Sequence, residues 1–384
     1  MYKKTIIHVV SVSFSIPIFF NRQFNSISTD FNFHVCCSPS DEFNKYAESY
    51  NFIPKSISIN RKISLFDDLI AINKLMRFFN KTNASVVIGH TPKAAFLSMI
   101  AGFFSFVPHR IYFKHGLVYE NSRGLVKAIL YLVDYFTEIL STEIIAVSHS
   151  VKQESSNKFL VNNSKYRIIG NGSCNGIDVW NRFNPNSINN EEKVILKESL
   201  SILENEIVIG FIGRIANDKG VAELIQAWEI LTEVNKNIKL VIIGPIDERD
   251  PICPELLNDA KSLSSLILVG QINNPEIYYS IMDIFILPSY REGLPTVNLE
   301  ASSMSIPVIT TRKTGCIDSI IENETGIFTE INALSISKAI EYYLVNPLIR
   351  IEHGQKGREF VTKNFDQNLF WKELSNFYEE KFTC

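Results

Sequence analysis

Short apolar runs alternate with amphipathic stretches along nearly the whole chain. Such runs are typical of strands that are buried on both faces of a parallel sheet. The sequence predicts strands at residues 6–12, 33–37, 86–89, 110–114, 144–147, 167–169, 207–212, 240–243, 266–269, 284–287 and 308–310. Helical patterns lie between them, at residues 94–107, 125–140, 221–231, 254–263, 332–344 and 367–382. This alternation predicts an α/β fold with two doubly wound parallel sheets.

The length and the polar segments indicate where the domains divide. A chain of 384 residues exceeds one ordinary hydrophobic core, so two domains are expected. The polar stretch 184–192 is predicted to be a linker between a first domain at 1–183 and a second at 193–366. The last helical stretch begins at Gln367 and carries several aromatic residues, and the pattern alone does not say which domain it packs on.

Composition and charge narrow the classes of protein. The chain is 46% hydrophobic and 21% charged, which is typical of a globular protein. Residues 1–190 carry a net charge of +8 and residues 191–384 carry −11. A basic first half suits an anionic partner, either a membrane surface or a lipid diphosphate, although scattered solubilising charge is the alternative. Nucleic acid is not expected as a partner, because the basic residues are dispersed and no binding motif contains them.

Cysteines and apolar runs bear on location. The six cysteines show no C-x-x-C spacing, so we expect reduced thiols in a cytoplasmic protein without structural zinc. The apolar run at 5–20 is interrupted by polar residues and Pro17, which favours a first buried strand over a signal peptide. No segment has about 18 uninterrupted apolar residues, so no membrane-spanning helix is expected.

Two strand–loop–helix segments carry the candidate chemistry. After the strand 284–287, a loop places Glu292 and Gly293 at the strand's carboxyl end, and Glu300 follows in the next helix. Amides at the helix start can face an anion, and carboxylates can accept hydrogen bonds from sugar hydroxyls. After the strand 207–212, Gly213 allows close approach of a ligand, and Arg214 and Lys219 can both reach a diphosphate. Together these segments indicate a sugar-nucleotide site.

With these motifs the chain resembles the retaining glycosyltransferases of family 4, which have the two-lobed GT-B fold. The likeness rests on Gly213-Arg214 with Lys219-Gly220, and on the E-x7-E element from Glu292 to Glu300. Segments of the first half resemble the branch that builds bacterial capsule, O-antigen and exopolysaccharide. They are residues 60–64, 90–93, 115–117 and 171–178. The loop at 13–17 departs from the family pattern, since it lacks the glycine pair of many members.

The resemblance implies the arrangement and the roles of the residues. Two Rossmann-like domains would face a cleft, with acceptor bound by the first, donor by the second, and the helix at 367–384 returning to the first. The implied catalytic residues are Arg214, Lys219, Glu292 and His115, the further donor-binding residues are Gly213, Gly293, Leu294 and Glu300, and the acceptor side has Arg61, His90, Lys93, His115 and Asn171. His8, within the first strand, is expected to be structural.

The implied reaction moves a hexose or N-acetylhexosamine, with retention, from a nucleotide-diphosphate sugar to a glycan acceptor. UDP is favoured as the nucleotide, and a polyprenyl-diphosphate-linked glycan as the acceptor, at the cytoplasmic face of the membrane. No cofactor is expected. We also expect no metal, because no group of His, Cys, Asp and Glu has ligand spacing, and Arg214 and Lys219 would neutralise the diphosphate instead.

Two other classes of function stay open at this point. A sugar-nucleotide 2-epimerase shares the two-lobed fold and the UDP-sugar, but it needs no acceptor. A non-catalytic subunit of a glycosyltransferase complex would often lack the basic pair or a motif glutamate, and this chain has all four residues.

Overall fold

The computed structural model describes residues 4–27, 30–60, 64–120, 122–158 and 161–383. It divides the chain into two compact units, one formed by the described residues up to Gly176 together with those from Gln367 onward, the other by Ile177–Asp366. The segment 184–192, predicted as a linker, lies inside the second unit. There Asn184 caps the 3-10 turn Pro185–Ser187 and accepts a hydrogen bond from Arg358, so its polar residues anchor the chain.

The first unit contains a seven-stranded sheet in which all the pairings are parallel. Its strands are β1 (Lys4–Val9), β2 (Phe31–Cys37), β3 (Ile53–Ser56), β4 (Val86–Gly89), β5 (His109–Lys114), β6 (Glu143–Ala146) and β7 (Tyr166–Arg167). They lie in the order β3-β2-β1-β4-β5-β6-β7. Its helices are α1 (Ile16–Phe19), α2 (Gln23–Ile27), α3 (Asp41–Tyr50), α4 (Leu65–Thr82), α5 (Pro92–Phe104), α6 (Gly124–Leu140) and α7 (His149–Lys158).

The second unit contains a six-stranded sheet, also parallel throughout. Its strands are β8 (Ile207–Ile212), β9 (Ile238–Ile243), β10 (Leu266–Gly270), β11 (Ile284–Leu287), β12 (Val308–Thr311) and β13 (Gly326–Thr329), in the order β10-β9-β8-β11-β12-β13. Its helices are α8 (Asn190–Ser199), α9 (Val221–Val234), α10 (Pro254–Ser262), α11 (Pro275–Tyr279), α12 (Thr296–Ser303), α13 (Ala333–Val345) and α14 (Pro347–Phe365).

The last helix, α15 (Gln367–Glu380), belongs to the first unit. Its aromatic face is buried there, and the indole nitrogen of Trp371 donates a hydrogen bond to the side-chain oxygen of Asn175 at 2.8 Å. Beyond the helix, the ammonium of Lys381 lies 2.7 Å from a carboxylate oxygen of Glu143 on β6. These contacts fix the end of the chain on the first sheet.

Two strands of the structure were not predicted. Strand β3 is an edge strand whose four residues are all exposed, and it includes Pro54. Strand β13 is also an edge strand, in the second sheet, but its residues are buried or half-buried and it begins with Gly326. Edge positions tolerate proline and glycine and need no continuous apolar run, so the apolar pattern did not reveal them.

Among the described residues, no helix combines the length and the apolar character that crossing a membrane requires.

Candidate functional site

The candidate donor residues lie where the strand order of the second sheet reverses. Strands β8 and β11 are neighbours, but β8 connects onward to β9 on one side and β11 to β12 on the other. Ligands of open α/β sheets bind at such a point, beyond the carboxyl ends of the strands. The loop 213–220 follows β8 and the loop 288–295 follows β11, so both candidate segments meet at this position.

Close backbone packing holds the two loops together. Gly220 has φ +70°, and a side chain there would collide with the carbonyl oxygen of Pro288. The amide of Tyr290 donates to the carbonyl oxygen of Asp218 at 3.0 Å. Only glycine fits at position 220 without strain, which explains the Lys219-Gly220 pair in physical terms.

Lys219 and Glu292 form the ion pair that links the loops. The ammonium of Lys219 is 2.5 Å from the carboxylate oxygen Oε1 of Glu292, and each side chain is 15% exposed. Lys219 lies in a 3-10 turn ahead of α9. The ammonium and the carboxylate therefore lie next to each other beyond the carboxyl ends of β8 and β11.

Arg214 is held by two carboxylates that sequence reasoning did not assign. Its guanidinium donates to Asp247 and also to Asp218, at 3.0 Å for the nearer oxygen of Asp218. Arg249 in turn donates to both carboxylate oxygens of Asp247, at 2.8 and 3.0 Å. Hydrogen bonds from Arg249, with those from Arg214, hold the pKa of the Asp247 carboxyl well below its ordinary value. Asp247 stays ionised and orients the Arg214 guanidinium.

A further cation, Arg291, was also missed. One guanidinium nitrogen lies 3.8 Å from a carboxylate oxygen of Asp218. Its Nε is buried, and within the described ranges it has no hydrogen-bond partner. The sequence signal was available, since Arg291 directly precedes Glu292. The site thus gathers Arg214, Lys219 and Arg291 around the two loops.

Gly293 and Leu294 are positioned by the loop that follows β12. The amide of Glu292 donates to the carbonyl oxygen of Thr314 at 3.0 Å. Gly315 has φ +79°, and a Cβ on it would lie 2.5 Å from the carbonyl oxygen of Gly293. Leu294 packs against the core of the second unit. The backbone of residues 292–294 is therefore held by the loop after β12 without any bound ligand.

Glu300 is a half-buried residue whose carboxylate lies in an environment that disfavours its charge. It lies on α12 and accepts a hydrogen bond from the hydroxyl of Tyr279 at 2.9 Å. Burial raises the pKa of the Glu300 carboxyl to about 7, while the Tyr279 hydrogen bond and the charge of Arg182 partly oppose the shift. Hydroxyl donors from a ligand would stabilise the ionised form.

A chain of three histidines occupies the carboxyl ends of the central strands of the first sheet. His8 Nδ1 is 2.8 Å from His90 Nε2, and His90 Nδ1 is 3.0 Å from His115 Nε2. Phe19 stacks on the His115 ring with centroids 3.8 Å apart. The sequence assigned His90 and His115 to the acceptor side, but it did not indicate that His8 joins them.

Burial keeps these imidazoles uncharged. It lowers the pKa of His8 and of His115 to about 3, and it lowers the pKa of His90 well below its ordinary value. Each ring therefore carries one proton, and His90 can donate through only one of its two nitrogens. The hydrogen-bonded series of histidines fixes the direction in which the His115 ring points and limits which of its nitrogens is a donor.

The other residues predicted for the acceptor side are not part of the hydrogen-bonded chain of histidines. Lys93, at the start of α5, forms an ion pair with Asp68 of α4 at 2.7 Å. Asn171 is exposed in the loop that follows β7, the edge strand of the sheet. Arg61 lies outside the described residues.

Within the part of the chain that the structure describes, no group of three or more His, Cys, Asp and Glu side chains is arranged to hold a metal ion.

Two family models match the chain. The model described as "Glycosyltransferase Family 4" matches residues 28–173, and "Glycosyl transferases group 1" matches residues 192–360. Each match covers most of one sheet with its helices.

Known proteins are similar over most of the chain. The capsular polysaccharide biosynthesis glycosyltransferase CapM of Staphylococcus aureus is 32% identical over 379 residues, which are 98% of this chain and 97% of CapM. The UDP-Gal:alpha-D-GlcNAc-diphosphoundecaprenol alpha-1,3-galactosyltransferase of Escherichia coli is 26% identical, covering 87% of this chain and 83% of that protein. The crystal structure of Anabaena HepE in complex with UDP and glucose has a TM-score of 0.80 at 14% identity, covering 98% and 100%.

Proposed function

Because the chain belongs to glycosyltransferase family 4 and has the GT-B fold that its sequence predicts, we propose that it is a retaining transferase for surface polysaccharide. It moves a hexose or N-acetylhexosamine from a UDP-sugar to a growing glycan linked to a polyprenyl diphosphate. The observation that carries this proposal is the ion pair that Lys219, in the same loop as Arg214, forms with Glu292 where the strand order reverses.

The comparisons support the choice of substrates. CapM, the relative described above, acts in capsule biosynthesis, and its likeness extends over both units. The E. coli relative takes its sugar from UDP and its acceptor carries a diphosphoundecaprenol. HepE, of the same fold, was solved with UDP and glucose. We extend these chemistries to this chain as a UDP-sugar donor and a lipid-diphosphate acceptor.

Some of the donor-binding residues contact the diphosphate and others contact the sugar or the ribose. Arg214 and Lys219 stabilise the negative charge that develops on the β-phosphate as the bond from the sugar C1 to its oxygen breaks. Backbone at Gly293 and Leu294 orients the phosphate and the sugar, and Glu292 accepts hydrogen bonds from sugar hydroxyls. Ionised Glu300 accepts the ribose hydroxyls. No metal takes part, since the cations of the protein carry the neutralising charge.

The acceptor hydroxyl attacks C1 from the face that the diphosphate leaves. The new C1–O bond forms as the old one breaks, and the hydroxyl proton passes to the departing phosphate oxygen. The products are the extended glycan and the nucleoside diphosphate. Neutral His115 serves as a hydrogen-bond partner to the transferred sugar and not as a base, because burial holds its pKa at about 3.

The test is transfer of labelled sugar by the purified full-length chain. A thermal-shift panel of UDP, GDP and their sugars first identifies the donor, since a ligand at about 100 times its dissociation constant stabilises the fold by about 2.7 kcal/mol. That donor is then incubated with polyprenyl-diphosphate-linked GlcNAc, and the product linkage is determined by NMR. We expect a glycoside of unchanged anomeric configuration. Inverted product would contradict the retaining mechanism.

The same assay separates the two other classes of function. Conversion of UDP-GlcNAc to its 2-epimer without any acceptor would identify an epimerase. Absence of both nucleotide binding and sugar transfer, with lipid extracts included as acceptors, would identify a non-catalytic subunit.

A further inference from the structure

Helix α6 turns its polar side inward and its apolar side outward. Its buried residues are Asp134, Thr137 and Glu138. Leu125, Leu132, Phe136 and Ile139 are all exposed, and their spacing of seven, four and three residues places them on one face of the helix. A surface helix of a globular protein ordinarily has the opposite orientation.

A buried ionic network fixes α6 in this orientation. The ammonium of Lys114, fully buried on β5, contacts carboxylate oxygens of Asp134 at 2.6 Å and Glu138 at 2.5 Å. The hydroxyls of Tyr112 and Tyr166 donate to the remaining oxygens of these carboxylates, at 2.8 and 2.6 Å. Rotating α6 to bury its leucines would leave these charges without partners, which is costly. The apolar face must therefore stay outward.

Helix α4 extends this apolar surface. Helix α5 packs against both α4 and α6, so the three form one layer. In the first two turns of α4, Leu65, Phe66 and Leu69 are 66 to 80% exposed. Both helices follow parallel strands and so begin at the same end of the sheet. We call this surface the outer face, defined by Leu65, Phe66 and Leu69 of α4 and Leu125, Leu132 and Phe136 of α6.

The exposed charges on and around helices α4 and α6 have a single sign. Among the described residues from 64 to 140, every charged side chain in the exposed class is basic, and the acidic ones are buried or half-buried. The exposed basic residues are Lys74, Arg77, Lys81, Arg123 and Lys127. On α4 the residues Ile70, Lys74, Arg77 and Lys81 follow one another at helical spacing, so the cations continue the apolar stripe.

We propose that the outer face binds the surface of an anionic phospholipid bilayer. The apolar side chains enter the boundary between headgroups and acyl chains, and the cations of α4 contact lipid phosphates, as in amphipathic helices that lie on membranes. A symmetric dimer through the same face would bring the two sets of cations together, and that repulsion favours the lipid as the partner.

This inference deepens the proposed function, on which it rests only for the identity of the acceptor. A lipid-linked glycan is reached at a membrane surface. His90 and His115 follow β4 and β5, at the same end of the sheet where α4 and α6 begin. The outer face would thus hold the acceptor-binding unit against the bilayer that carries its substrate.

The experiment is co-sedimentation of the full chain with vesicles, in the absence of donor and acceptor. Vesicles of phosphatidylcholine alone are compared with vesicles that also contain phosphatidylglycerol, at low and high salt. We expect binding to the anionic vesicles and its loss at high salt. Phe66→Glu and Phe136→Glu should each lower the partition coefficient at least about tenfold, since each removes an inserted group and adds a repelled charge.

Matched controls lie on the second unit. Leu348 of α14 is 81% exposed, and Leu348→Glu should leave vesicle binding unchanged. Lys74→Glu should weaken binding to the anionic vesicles, whereas Lys338→Glu, at an exposed lysine of α13, should not. Thermal unfolding of each variant confirms that it folds. The proposal is overturned if the chain binds neutral and anionic vesicles equally, or if Leu348→Glu weakens vesicle binding as much as Phe66→Glu does. It is also overturned if the chain is a dimer that Phe136→Glu converts to monomer. Because no turnover is measured, its failure is distinct from failure of the proposed transferase.

Discussion

The ammonium of Lys219 lies 2.5 Å from a carboxylate oxygen of Glu292, across the two loops where the strand order of the second sheet reverses. One residue is assigned to the diphosphate and the other to the sugar. A donor that reaches both must therefore share the ammonium with the carboxylate. In the proposed mechanism, the pair would couple recognition of the sugar to the charge that neutralises the leaving group.

Loss of either cation should reduce turnover without unfolding the chain. Arg214→Ala and Lys219→Ala are each expected to lower kcat on the order of 10²-fold, as for loss of one preorganised charge donor. Both residues lie in loops, so unfolding temperatures should change little. Lys338→Ala, exposed on α13, is the control. Near-normal kcat at saturating donor in either variant would refute the assignment.

Transfer should not depend on an added metal ion. We expect turnover to persist in excess EDTA, measured with the same acceptor and detergent as the untreated enzyme. The reason is that Arg214 and Lys219 supply the charge that a divalent cation would otherwise supply. An absolute requirement for Mg²⁺ or Mn²⁺, restored by titration, would contradict this.

Nucleotide affinity should fall as the pH falls through the pKa of Glu300. Burial raises this pKa to about 7, and only the ionised form accepts both ribose hydroxyls. Calorimetric titration with UDP should therefore show a loss of about tenfold per pH unit below that value. Glu300→Gln should bind more weakly at high pH and show a flatter profile. The exposed Glu341→Gln serves as the control, and an unchanged slope in Glu300→Gln would exclude Glu300 as the titrating group.

The same carboxyl should affect stability with the opposite sign. Its pKa in the folded chain is above its ordinary value of 4.5, so its favourable contribution is complete below about 4.5 and is lost as the pH rises through about 7. Glu300→Gln should therefore raise the unfolding temperature at about pH 8 and have little effect at about pH 5. An equal shift at both values would show that the charge is not responsible.

Lys93 should affect the acceptor and not the nucleotide. Lys93→Ala is expected to raise the acceptor KM while the dissociation constant of UDP stays nearly the same. The ion pair with Asp68 provides an internal comparison, because Asp68→Asn removes the pair and keeps the cation. If both variants change KM alike, the pair is structural. Weaker UDP binding in Lys93→Ala would place Lys93 with the donor instead. From sequence alone, Arg61→Ala is expected to behave as Lys93→Ala does.

The apolar pattern predicted the architecture because parallel strands bury both faces. Runs such as 207–212 and 284–287 coincide with β8 and β11, and their carboxyl ends locate the site. The pattern failed at the sheet edges, where β3 is exposed and contains Pro54 and β13 is a four-residue strand that begins with Gly326. It also predicted an ordinary helix at 125–140, since the length of the period does not show which face points inward. The buried Lys114 network decides that orientation.

Partnerships between charged residues could not be predicted from spacing. Asp218 and Asp247 hold Arg214 although Asp247 follows a different strand, and only the sheet order brings it near. His8 was expected to be structural, and its ring nitrogen contacts His90 across 82 positions of sequence, a partner that spacing does not indicate. Polar residues at 184–192 resembled a linker because caps and linkers share their composition. Such contacts depend on tertiary structure, which a local pattern does not contain.

A crystal structure of the full chain with UDP tests the central claim most directly. The account predicts that the β-phosphate oxygens lie within hydrogen-bond distance, roughly 3 Å, of the Arg214 guanidinium and the Lys219 ammonium, with the ribose hydroxyls on Glu300. It also predicts that the uracil and ribose lie beyond the carboxyl ends of β8 and β11. UDP bound away from this position, or a diphosphate that contacts neither Arg214 nor Lys219, would contradict it.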